Sequence, residues 1–342
     1  MKQVVATALI LLLLLFLLPL FFLDTGSTQA TPEPQATLPL DRTVVSPSPT
    51  PVPAGPLDQE RQIQVQLPDG TVRAMNMGDY LWCVVAAEMP ASFELEALKA
   101  QAVAARTYAA RKMDRATAAH PDANVCTDHT CCQAYITPEQ AAANWGEQAP
   151  AYTVKVQTAV AGTDGVVAQY GGQLIDAVFF SSAAGRTVDA VEVWGNAVPY
   201  LTSVDSPEGE GVPNYHSTVT LTAREFKDKF LSAYPDAQLE GDPASWLGER
   251  TPNSAGGVGT LTVGGVTVGG GKLRALFGLR SANFTLSYAG DTFTFSVTGY
   301  GHGVGMSQYG ANTLAQQGQT YDEILKWYYT GIDLTPAPAG DE

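Results

Sequence analysis

The chain has 342 residues, 45% of them hydrophobic, with 19 Lys and Arg against 34 Asp and Glu for a formal net charge of -15. That length and apolar content exclude a disordered chain and leave room for one large or two ordinary domains. The acidic balance, with no basic stripe to overcome it, excludes a nucleic-acid partner, because a phosphate polymer would be repelled.

Residues 1–23 carry one lysine, Lys2, and then an almost unbroken apolar run of about 20 residues, long enough to span a bilayer as a helix. The run exceeds a typical signal-peptide core, and no clean small-x-small cleavage site follows over residues 24–30. It therefore reads as a signal anchor in preference to a cleaved signal peptide. Lys2 places the N-terminus in the cytoplasm and the bulk of the chain outside, an extracytoplasmic protein tethered to the membrane by its N-terminal helix. Residues 24–59 turn to Pro, Ser and Thr, with Ser46-Pro-Ser-Pro-Thr-Pro-Val-Pro53 favouring polyproline II. Such a stalk rises about 3.1 Å per residue and lets a folded domain reach material beyond the membrane.

The folded domain is expected over residues 60–334, followed by a disordered tail at 335–342. Residues 62–67 alternate apolar and polar side chains as a strand does, and Pro68-Asp69-Gly70 supplies the turn of a hairpin. Next comes Asp79-Tyr-Leu-Trp-Cys-Val-Val-Ala-Ala-Glu-Met-Pro90, which reads as an apolar helix capped by Asp79. Leu81, Val84, Val85 and Glu88 share one face at i, i+3, i+4, i+7, and Pro90 disfavours helical geometry at Met89. Glu88 thus falls in the last turn, where the negative end of the helix dipole and apolar neighbours both disfavour its ionisation. A carboxyl kept protonated near neutral pH is a general acid. The structural alternative is a packed ion pair of Glu88 with Lys99 or Arg106.

An Ala-rich helix is expected over about 93–112. The loop His120-Pro-Asp-Ala-Asn-Val-Cys126-Thr-Asp-His129-Thr-Cys131-Cys132-Gln133 then gathers three of the four cysteines. Outside the membrane a Cys126–Cys132 disulfide is the ordinary expectation, while the soft S and N donors also suit tetrahedral zinc. Cys83 reads as a small buried apolar residue. A helix follows Pro138, with strands near 154–170 and 173–180 joined by a tight Gly171-Gly172 hairpin. A strand at 217–221 and a helix at 223–234 come next, then Gly-punctuated β segments at 257–270 and 284–297 and a short helix at 323–329. Strands and helices arrive in mixed blocks without regular βαβ alternation, so the fold class is α+β.

Two loops remain. Residues 180–187 follow a strand and include Ser181 and Ser182; a serine nucleophile with His302 as base is one reading, but the G-x-S-x-G elbow is missing. Residues 299–310 are rich in glycine without the spacing of a phosphate-binding loop. They instead let the backbone approach a ligand or a neighbouring element, with His302 lining that site or bonded in the core.

Four blocks together carry a family resemblance: Val84-Val-Ala-Ala-Glu-Met-Pro90 running into Glu96-Ala-Leu-Lys-Ala-Gln-Ala-Val-Ala-Ala-Arg-Thr-Tyr108; Phe179-Phe-Ser-Ser-Ala-Ala-Gly-Arg-Thr187; Leu273-Arg-Ala-Leu-Phe-Gly-Leu-Arg-Ser281; and Gly301-His-Gly-Val-Gly-Met-Ser-Gln-Tyr-Gly-Ala311 with Trp327-Tyr-Tyr-Thr-Gly331. They span nearly the whole exported part, which resembles the stage II sporulation protein D (SpoIID) family, a family that includes amidase enhancers. The resemblance implies a lytic transglycosylase that cleaves peptidoglycan glycan strands to 1,6-anhydro-muramic ends, with the catalytic acid on Glu88. It also implies that Lys99, Gln101, Arg106, Ser181, Ser182, Thr187 and His302 line a substrate cleft. The rival it raises is a non-catalytic wall-binding protein that stimulates an N-acetylmuramoyl-L-alanine amidase. Catalysis needs no cofactor on this reading. A structural zinc is implied at His120, Cys126 and Cys132, with His129 and Cys131 as competing ligands.

Overall fold

Helix α1 (Pro56–Glu60) opens the part of the chain that the computed structural model describes, residues 55–113 and 120–337. The expected membrane anchor, most of the stalk and the last five residues lie outside the described residues. Among the described residues no helix is long and apolar enough to cross a membrane.

Strands β1 (Gln62–Gln66) and β2 (Val72–Asn76) form the expected antiparallel hairpin across Pro68-Asp69-Gly70. Helix α2 (Met77–Glu88) follows at once, and α3 (Leu95–Met113) lies against it. The Ala positions of α3 explain its place: Ala97, Ala100, Ala102, Ala104, Ala105 and Ala109 are all fully buried. Side chains that small let neighbouring backbones approach on several sides at once. Beyond the Cys/His loop and its short β3 (Val125–Cys126), which pairs with β1 in parallel, come α4 (Pro138–Trp145) and α5 (Ala149–Ala161).

Helix α5 occupies the first part of the expected 154–170 strand. Its β-branched residues suggest a strand, but Val156, Ala159 and Val160 are buried at helical spacing against α3. Only β4 (Val166–Tyr170) is extended there, and the Gly171-Gly172 hairpin joins it to β5 (Gln173–Leu174). The expected 173–180 strand is thereby split, resuming as β6 (Phe179–Phe180), followed by α6 (Ala190–Trp194).

A second block then intervenes: β7 (His216–Thr222), α7 (Ala223–Ala233), β8 (Leu247–Pro252), β9 (Val258–Val263), β10 (Val266–Gly269), α8 (Gly270–Phe277), β11 (Phe284–Ala289) and β12 (Thr292–Thr298). Its two antiparallel sheets, ordered β10-β9-β8 and β11-β12-β7, enclose an apolar cluster of their own around Phe226, Trp246, Phe293 and Phe295. Thr298 pairs with His216, so the block begins and ends side by side. The chain then returns to the first cluster with β13 (Met306–Ser307), parallel to β6, followed by α9 (Gln308–Gln316), α10 (Tyr321–Tyr328) and β14 (Asp333–Pro336). Helices α2, α3, α5, α9 and α10 share that first cluster. The mixture of helices and small sheets is α+β, as expected.

Both edges of the expected domain move outward. Asp58 of α1 is buried in an ion pair with Arg106, and β14 carries Thr335 and Pro336 in register with β4. Residues assigned to stalk and tail on composition are thus held by a charge partner and a strand partner far away in sequence.

Candidate active site

Helix α2 is apolar on nearly every side, and Tyr80, Leu81, Val84 and Val85 are fully buried. Its N-cap is Asn76, whose Oδ1 accepts from the Asp79 backbone N–H at 2.8 Å, so Asp79 stands in the first turn instead of capping. Asp79 returns the contact by accepting from Asn76 Nδ2 at 2.8 Å. The helix ends at Glu88 because Met89 takes an extended conformation before Pro90, at φ -126° and ψ 136°.

Glu88 is half-buried, and its Oε1 accepts from the backbone N–H of Ala134 at 2.6 Å. Desolvation raises its pKa above the ordinary carboxylate value, opposed by the Ala134 N–H and by the positive charge of His129. The alternative of a packed ion pair is not realised. Lys99 bonds Glu96 at 2.6 Å, and Arg106 bonds Asp58 at 2.6 Å.

Several expected cleft residues therefore have other positions. Arg106 is fully buried, spending its guanidinium on Asp58, the Val160 and Val166 carbonyls and Thr163. Gln101 is also fully buried; its Oε1 accepts from Gln308 Nε2 at 3.3 Å, and its own Nε2 has no partner among the described residues. Lys99 lies over the Tyr321 ring. Thr187 is buried with its Oγ1 accepting from the Val204 N–H at 2.9 Å. Ser182 is buried and bridged through its backbone to Tyr300, while Ser181 is half-buried.

His302 does not serve as a base for Ser182. Its Nε2 donates to the Phe179 carbonyl at 3.1 Å, and its Nδ1 accepts from the Val304 N–H at 3.2 Å. A cavity lined by Phe180, Ser182, Arg186, Asn253, Asn283 and His302 lies between the strand end and the second block, and Glu88 does not line it. The structure thus places Ser182 and His302 together at one cavity, and Glu88 with Gln101 and Gln308 elsewhere.

The glycine loop closes onto a neighbouring element, one of the two readings its sequence allowed. At Gly305, φ is +76° and a Cβ would overlap the Val178 carbonyl oxygen, so only glycine lets β13 lie beside β6.

In the Cys/His loop, the ligand atoms of His120, Cys126, Cys131 and Cys132 all lie within 4.8 Å of one another. His120 is buried, with Nε2 3.5 Å from Cys132 Sγ, and all four cysteines are free thiols. Three sulfurs and one imidazole converging this closely fit tetrahedral zinc, whose bonds run about 2.0–2.3 Å. His129, with its side chain 77% exposed, stands outside the cluster. The loop continues through Gln133, which accepts from Tyr80 OH at 3.2 Å, to the Ala134 N–H that holds Glu88.

Ala134 could not be read from the residues alone, since a backbone donor carries no residue signature. Gln308 lay within the last motif block but could not be told from its neighbours. Glu208, a buried acid in an aperiodic loop, left no pattern to read.

An α+β fold that presents a desolvated carboxyl at a helix end defines a protein with a candidate general acid. A model of the family described as stage II sporulation protein matches residues 69–170. The chain is 37% identical over 346 residues to stage II sporulation protein D of Bacillus subtilis, covering 99% of this chain and 97% of that one. It is 40% identical over 269 residues to the protein of that name from Bacillus amyloliquefaciens, covering 78% and 76%. To the amidase enhancer of Bacillus subtilis it is 30% identical over 303 residues, 74% of this chain and 40% of that one. The chain belongs to the stage II sporulation protein D family.

Proposed function

We propose that this chain is a peptidoglycan lytic transglycosylase with Glu88 as its single general acid and base. The observation that carries the reading is the half-buried Glu88 carboxyl, with no counter-cation in contact among the described residues and with desolvation raising its pKa. Protonated, it hands its proton to the glycosidic oxygen between N-acetylmuramic acid and N-acetylglucosamine as the C–O bond breaks. The resulting carboxylate takes the proton of the sugar's own C6 hydroxyl, whose oxygen closes on the anomeric carbon. No water enters, so the second carboxylate of ordinary glycoside hydrolysis has no task.

Ser181 and Lys99, both partly exposed, are expected contact residues whose side chains remain open to a glycan. Zinc at His120, Cys126 and Cys132, with Cys131 as a fourth ligand, would order the loop that delivers the Ala134 N–H. An N-terminal membrane anchor would keep the domain on the outer face of the membrane within reach of the wall. The relative named amidase enhancer favours a second reading, in which the fold binds glycan and stimulates a partner amidase.

The test is mass spectrometry of products released from purified, denuded glycan strands. Wild-type protein should yield anhydro-muramic ends, whereas Glu88→Gln, still able to accept from Ala134 through its amide oxygen, should fold and bind glycan but release none. Free reducing ends would mean a hydrolase, and no release by wild type would favour the enhancer.

A further inference from the structure

Resting on Glu88 as the acid, we propose that Gln308 positions it from beneath and that Glu208 fixes Gln308 in place through Ser307. The last carbonyls of a helix have no partner within it. For α2 the Glu88 carbonyl is satisfied by Gln308 Nε2 at 2.9 Å, and the same amide nitrogen reaches Gln101 Oε1 on α3 at 3.3 Å. One side chain therefore ties the backbone of the acid to the helix at the centre of the fold, while the Ala134 N–H holds the carboxyl itself. Held at both ends, Glu88 has little freedom to swing.

Gln308 is in turn the first residue of α9, and Ser307 is that helix's N-cap. The Ser307 hydroxyl accepts from the Gly310 N–H at 3.2 Å and donates to Glu208 Oε1 at 2.5 Å. The same oxygen accepts from the Ala183 N–H at 2.6 Å, so Glu208 joins the start of α9 to the end of β6. A second link, Tyr309 N–H to the Ser181 carbonyl at 3.0 Å, runs parallel to it.

Stability alone does not account for Glu208. The residue is 9% exposed, and its Oε2 is buried without a hydrogen-bond partner among the described residues. A buried carboxyl with an unsatisfied oxygen is costly. That oxygen sits by Ser206 Oγ and Tyr328 OH over Gly310, where a Cβ would overlap all three, so the chain keeps a glycine there to admit them. What the carboxyl supplies is a fixed register between α9 and the strand end, and hence a fixed Gln308.

The experiment compares Gln308→Ala, Gln308→Asn, Glu208→Ala and Glu208→Gln with wild type on denuded glycan strands. Alongside the kinetics, a 13C NMR titration of the Glu88 carboxyl and a thermal melt are recorded. The groups that act on Glu88, namely His129, Tyr80 and the Ala134 N–H, are untouched in all four. Both Gln308 variants should lower kcat by about 10- to 100-fold with KM little changed. Water entering beneath Glu88 should let it titrate at lower pH, moving the alkaline limb of kcat the same way. Glu208→Ala should do likewise, and Glu208→Gln should recover most of the loss, because its amide oxygen still accepts both bonds while its NH2 faces the Ser206 and Tyr328 oxygens.

A Glu88 titration identical in wild type and folded Gln308 variants would overturn the proposal. So would a uniform loss of Tm with kcat and KM changing together. If wild type releases no anhydro product, the transglycosylase reading fails on its own, and the NMR titration still decides whether Gln308 positions Glu88.

Discussion

The two ring nitrogens of His302 are both committed, one donating to the Phe179 carbonyl and one accepting from the Val304 N–H, and only the neutral ring can do both. Burial pushes its pKa down to about 4; the Phe179 carbonyl opposes this, and the Arg274 charge adds to it. An unfolded His titrates near 6.5, so the folded state gains fully from this residue above that pH and loses the gain as pH falls toward about 4. Urea titrations across this window should show a His302-dependent loss of up to about 3 kcal/mol. In His302→Gln that pH-dependent component should vanish, whatever the overall change in stability. A wild-type slope equal to that of the variant would show that the ring titrates normally. The same commitment of Nδ1 explains why a serine-nucleophile reading of residues 180–187, available from the sequence, has no base to support it.

At the scale of elements, α1 is bound to the fold by a buried ion pair and by the Asp164 carboxylate, which accepts from the Leu57 and Asp58 N–H groups at 3.1 and 2.8 Å. Arg106 and Asp58 are both essentially unexposed, and removing one partner leaves an uncompensated buried charge, which costs about 3–5 kcal/mol. Arg106→Met and Asp58→Leu should each lower stability by that amount in equilibrium denaturation, and the double variant should lose much less than their sum. Additive losses would show that the pair is not coupled. Helix α2, helix α3 and the hairpins were legible in the sequence because their apolar periods and turn residues act locally. Helix α5 was not, since its Val and Thr residues favour strands until packing on α3 overrides them. Helix α9 was hidden by the glycines around it, and α1 by the proline-rich composition before it. Glu88 was legible for the same reason as α2, because a charge closing an apolar helix is a local anomaly. Its partners Ala134 and Gln308 were not, being distant in sequence and meeting it only through the fold.

Across the whole molecule the two apolar clusters divide the labour, the first holding the candidate acid and the second standing as a block whose ends meet. The Cys/His loop links the N-terminal sheet to the candidate acid, because β3 pairs with β1 and the same loop runs on to Ala134. A metal there would act on the stability of the whole fold, since an ion bound only by the native state adds its binding free energy to folding. At a thousandfold excess over Kd this is about 4 kcal/mol, a fall in Tm on the order of 10 °C when a chelator removes the ion. Protein purified without chelator should carry one zinc per chain by elemental analysis and show that fall. Cys126→Ser or Cys132→Ser should abolish both the metal and the chelator response. Cys131→Ser should retain weaker binding through the remaining three ligands. Because thiolates bind the ion, affinity should weaken as pH falls, and the chelator-dependent part of Tm should shrink with it. A metal-free protein whose Cys126 and Cys132 resist thiol reagents until reduced would instead establish the disulfide.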